Sequence, residues 1–231
     1  MEEKMSLWKM MYGAVWGSPA KTLEHITQRP RFWGAFVLLT ALNLLLTIPL
    51  LPKMREAAVW AMQSMPGEMK LSAAQIESYA GIAVYTTIAA AVLLPILLWL
   101  VSAALLKLFN AFTGEKASFS ALFAVSIFSY LPVILDGIIK TPLVWAAQVQ
   151  NMSRITISPA LFLTPSEGLS PGRAYTFLSQ FDPFIIWTLI IMALGGSIAM
   201  KVPFRKTAVY IASLWLVYIL AVTFLSRSPG A

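Results

Sequence analysis

The stretch Pro183-Phe-Ile-Ile-Trp-Thr-Leu-Ile-Ile-Met-Ala-Leu-Gly-Gly-Ser-Ile-Ala-Met200 holds eighteen residues without one charge. At 1.5 Å per residue such a run crosses the roughly 30 Å hydrocarbon core of a bilayer when helical. Four more uncharged runs approach that length: Phe32–Pro52, Ser78–Leu106, Ala117–Leu135 and Thr207–Ser226. Over the 231 residues, 58% are hydrophobic and 12% charged, against about a quarter charged in a soluble domain. The expected fold is therefore all-α. It is a polytopic bundle of five transmembrane helices, preceded by an N-terminal amphipathic interfacial helix.

The cations orient the spans. With a cytoplasmic N-terminus, residues 1–31 and the 107–116 and 201–206 links hold ten Lys and Arg against four acids. The longer connections on the other side hold seven against six. The excess of cations in short loops marks the cytoplasmic side. A cell-membrane protein with its N-terminus inside and its C-terminus outside is expected, and the net charge of +7 is assigned to topology rather than to nucleic acid.

Between the spans, Ser72-Ala-Ala-Gln75 has capping-box spacing, so the second helix should start before the bilayer does. The uncharged run Thr141–Ser153 is short and contains Gln148, Gln150 and Asn151; it reads as interfacial. Residues 154–174 carry three prolines and two glycines and read as an irregular extracytoplasmic loop. At the N-terminus, Met5, Trp8, Met11, Tyr12, Val15 and Trp16 recur at helical spacing, as on a helix lying in the membrane interface. Ser18-Pro19 then supplies an N-cap and a proline at the first helical position of a second short helix, which Pro30 limits.

Few residues offer chemistry. There is no cysteine and one histidine, His25, which removes thiolate sites and multi-histidine metal sites. Met54, Met62, Met65 and Met69 are soft donors, but without His or Cys nearby they read as an adaptable apolar face. Asp136 ends the third run and Asp182 precedes the fourth; both are expected at interfaces, Asp182 as a helix cap. Small residues at Ala193 and Ser197, Gly195 and Ala199, and Ala208 and Ala212 allow close helix approach. Pro95 and Pro132 break the helical hydrogen-bond ladder within two spans. No nucleophile elbow, zincin helix or nucleotide loop is present, so neither an enzyme nor a cofactor is expected.

Three stretches together resemble the YIP family (Ypt-interacting, or YIPF-type, membrane proteins), especially its prokaryotic members. They are Ser18-Pro19-x3-Leu23-x2-Ile26-x3-Pro30; Gly114-Glu-Lys-Ala-Ser-Phe119 followed by Ser129-Tyr130-Leu131-Pro132; and Asp182-Pro-Phe184-Ile-Ile-Trp187 with Gly195-Gly196 and Arg205-Lys206. Pro183 departs from the apolar residue more usual after that aspartate, and the motifs do not reach residues 154–174. The resemblance implies five spans and a cytoplasmic N-terminus. It also implies work on other membrane complexes: eukaryotic relatives act with Rab-type GTPases, and some bacterial ones accompany ABC-type exporters as accessory proteins. No GTPase-binding motif is matched residue by residue.

The expected function is a non-enzymatic adaptor or assembly factor in the lipid bilayer, acting on another integral membrane protein, an ABC exporter component among the candidates. Trp8, Trp16, Arg205 and Lys206 would sit at the cytoplasmic interface, and Gly195, Gly196, Ala208 and Ala212 would serve close packing. Pro132 and Trp187 complete the candidate residues. The alternative is a small-molecule or ion transporter or channel with Asp136 and Asp182 lining an outer vestibule.

Overall fold

The computed structural model describes residues 5–64, 71–114, 117–163 and 172–225. Among these the regular structure is helical, and five helices are long and apolar enough to cross a membrane. The chain is an all-α polytopic membrane protein. The helices run between two ends: a short-turn end, holding residues 114, 117–118 and 201–203, and a loop end, holding residues 64, 71–72, 147–163 and 172–182.

Helices α1 (Leu7–Val15) and α2 (Pro19–Gln28) form a hairpin before the first span. Ser6 caps α1, its hydroxyl accepting from the Lys9 amide; Ser18 stands at the N-cap of α2 without making that bond. The arms approach so closely at Gly13 that a Cβ there would collide with Thr22 Oγ1. The hairpin is built into the bundle: Met10, Ala14, Val15, Leu23 and Ile26 are buried in the main core. The helical stripe read from the sequence therefore divides. Val15 faces the core, whereas Trp8 (69%), Tyr12 (65%) and Trp16 (57%) are largely exposed. An apolar period finds the helix but not which of two apolar faces meets protein.

The first span runs through α3 (Trp33–Thr47), a 3₁₀ turn at Ile48–Leu50 and α4 (Leu51–Gln63), 31 residues in all. The charges from Lys53 onward end the uncharged run at Pro52 but leave the helix intact. α5 (Ala73–Thr113) has 41 residues. The expected capping box is present, with the Gln75 amide donating to Ser72 Oγ and the Ser72 amide to Gln75 Oε1. α5 ends on Gly114 at φ 75°, a left-handed position that glycine takes without a Cβ clash. Pro95 is buried inside it. Within α5, Gly81 has no atom near the position of an added Cβ. Gly81→Ala should therefore gain about 0.5–1 kcal/mol from helix propensity, read as a rise in the unfolding midpoint in detergent.

The third span is α6 (Phe119–Ser129) followed after Tyr130 by α7 (Leu131–Ala146), 28 residues together and the most enclosed of the five. Pro132 sits buried in the first turn of α7, at the junction. Two expectations are corrected here. The helix does not end at Leu135 but runs on to Ala146, so Thr141–Ala146, read as part of a separate interfacial segment, forms its last turns; Val149–Arg154, a 3₁₀ stretch, lies beyond. Asp136 is accordingly inside a helix, not at a helix start.

Residues 154–163 include a third 3₁₀ turn at Pro159–Phe162, and α8 (Arg173–Ser179) returns the chain to the bundle. α9 (Pro183–Met200) has the limits read from the sequence, and α10 (Phe204–Leu225) closes the fold. Lys201 turns the chain between them in a left-handed conformation, φ 53°. The main core gathers around Trp99, Phe128, Ile127 and Leu39. A second core, of Leu106, Leu122, Val125, Ala193, Met200 and Ile211, joins α5, α6, α9 and α10.

Candidate functional site

An aspartate and a lysine four residues apart on one helix share a face, and Asp136 and Lys140 do so on α7. Lys140 Nζ donates to Asp136 Oδ2 at 2.8 Å and, across the bundle, to Asp182 Oδ2 at 2.7 Å. Asp182 reaches this position as the N-cap of α9: its Oδ1 accepts from the Phe184 amide at 2.8 Å. One carboxylate thus starts a span and receives an ammonium from the neighbouring span. The Asp182 side chain is 3% exposed, against 18% for Asp136 and 23% for Lys140. Charges buried at this depth persist when paired and hydrogen-bonded. The cluster contains two carboxylates and one ammonium, and Asp136 Oδ1 is buried without a hydrogen-bond partner among the described residues.

Tyr175 of α8 stands over the same region. Burial raises its phenol above the ordinary range, while the charges of Arg154 and Lys140 pull the other way. Below the cluster, Tyr130 Oη donates to Asn43 Oδ1 at 3.2 Å, tying α3 to the α6–α7 junction. The ring of Tyr130 meets Trp99 edge-on at 5.5 Å, and Trp99 meets Phe36 at 5.6 Å. The two expected acids are therefore brought together, but by a lysine that the sequence reading left in an outer loop. The i to i+4 spacing of Asp136 and Lys140 was the available signal.

The other candidates are distributed along the molecule. Trp16 packs edge-on against Trp187 at 5.6 Å, and Trp187 lies against Phe184. Gly195 and Gly196 are buried where α9 meets its neighbours: Gly195 faces Val125 and Leu23, Gly196 faces Leu106 and Thr207. Ala208 borders the second core, whereas Ala212 is exposed; the buried face of α10 runs through Thr207, Ile211 and Ile219. Arg205 and Lys206 are exposed. His25 lies on α2, which meets α9 at Gly195, about 20 Å along that helix from Asp182. Met65 and Met69 fall outside the described residues. Among the described residues no three His, Cys, Asp or Glu group as a metal site.

A model of the Yip1 domain matches residues 13–225 of the chain. The chain is also similar to membrane protein YknW of Bacillus subtilis (strain 168), at 25% identity over 188 residues, or 77% of this chain and 73% of that protein. No solved structure matches.

Proposed function

The chain belongs to the Yip1 family, and from that premise we propose that it is a non-enzymatic membrane adaptor or assembly factor. It works by packing against another integral membrane complex, with an ABC-type exporter as the partner class to test first. The observation that carries this reading is Lys140. Its ammonium occupies both carboxylates that a transported cation would use, so the charged cluster serves as a clamp between α7 and α9. The exposed row Trp8, Tyr12 and Trp16 on a hairpin built into the core supports a surface that other membrane proteins meet. The orientation proposed is N-terminus cytoplasmic. Exposed Lys21, Arg31, Lys201, Arg205 and Lys206 gather at the short-turn end, as the positive-inside bias requires.

Crosslinking in intact membranes, followed by gentle solubilisation of the tagged chain, should recover one specific integral membrane complex. Recovery of none sinks the reading. The unpartnered Asp136 Oδ1 favours the second reading, a small-molecule or ion transporter. That reading expects flux in proteoliposomes abolished by Asp182→Asn, and a broad substrate panel without flux removes it.

A further inference from the structure

The connection from α9 to α10 carries Lys201, Arg205 and Lys206 within six residues, all exposed. None of the three forms an ion pair among the described residues. Glu24 is the one described acid at this end, and it accepts a hydrogen bond from Gln28. The level of the connection follows from length. α9 has 18 residues, about 27 Å, so its end lies where hydrocarbon gives way to headgroups. Phe204, the first residue of α10, is exposed beside these cations, the mixture that interfacial belts favour.

Below Arg205 the exposed face of α10 is broad, and within it Val209, Ala212, Leu216, Leu220 and Phe224 follow one line at three- and four-residue spacing. Ala212 makes a shallow step in it between larger side chains.

We propose that this turn and stripe form a binding site for an anionic glycerophospholipid. Lys201, Arg205 and Lys206 take the phosphate, and one acyl chain lies along α10 over Ala212. An acidic soluble partner would meet the cations but not the stripe, which runs at hydrocarbon depth. The complementarity is one of charge at the head and of apolar surface along the tail.

The test is native mass spectrometry of the full chain from membranes holding equal phosphatidylglycerol and phosphatidylcholine. Wild type should retain phosphatidylglycerol in preference to phosphatidylcholine by on the order of tenfold. Lys201→Gln/Arg205→Gln/Lys206→Gln should lose that preference, and Ala212→Trp should lose the retained lipid with the charges intact. Lys53→Gln/Arg173→Gln, at the loop end, should behave as wild type. Equal retention of both lipids by wild type overturns the proposal. So does a preference that survives in the triple variant, retention by Ala212→Trp equal to wild type, or an equal loss in the loop-end variant.

Discussion

Lys140→Met is expected to lower stability by about 3–5 kcal/mol, because it leaves two buried carboxylates facing one another with no compensating charge. Lys140 Nζ holds Asp136 and Asp182 at 2.8 and 2.7 Å, and without it one carboxylate must take up a proton or draw in water. Thermal unfolding in detergent, followed by circular dichroism, measures the loss. The informative comparison is Asp136→Asn/Lys140→Met/Asp182→Asn. Replacing a whole buried ion cluster is often close to neutral, and Asn at position 182 still caps α9. The triple variant should therefore recover much of what Lys140→Met loses. A single Lys140→Met variant with wild-type stability would show that the cluster is not a clamp.

Gly195→Ala is expected to cost about 1–3 kcal/mol through overpacking. The added Cβ would lie 2.7 Å from Val125 Cγ1, 3.0 Å from Cγ2 and 3.3 Å from Leu23 Cδ2. The first two belong to α6 and the third to α2, so the methyl group pushes on the central span and on the hairpin together. Hydrogen exchange should rise across α1 and α2 as Leu23 is displaced. Adding Val125→Ala removes the closest atoms and should restore most of the stability. If Gly195→Ala matched Gly81→Ala in sign and size, the tight seam at Gly195 would be refuted.

Much of this architecture is legible in the residues, and the failures have physical causes. The run before Lys201 and after Asp182 reads directly as α9, because a capping acid, a proline at the first helical position and eighteen uncharged residues agree. The third span misleads because Asp136 and Lys140 interrupt its uncharged run. Paired on one face, they do not stop the helix, although the residues beyond them are no longer buried. The first span misleads in the opposite way: Lys53, Arg55 and Glu56 end the apolar run, yet a helix need not stop where the hydrocarbon does. α1 is apolar on both faces, so periodicity leaves open which face meets the core. The meeting of Asp136 with Asp182 joins positions 46 residues apart, and no local pattern reports it. Ala212 is exposed on α10, so its packing partner is not within the described residues of this chain. Small residues mark close approach, but they do not say whether a helix or a lipid comes close.

The length of α5 has a mechanical consequence. Its 41 residues make a rod of about 61 Å, about twice the thickness of the hydrocarbon it crosses. At the loop end α4 is strapped to it by Arg55, whose Nη2 donates to both carboxylate oxygens of Glu77. Trp99, buried in the main core, is the natural fulcrum for a rigid tilt of this helix, with the buried Pro95 one turn away. A tilt of about 5° about that fulcrum moves Ala73 by about 3 Å and Thr113 by about 2 Å in opposite directions. A rigid tilt of the second span would thus reach the other side of the bilayer as a displacement of reversed sign.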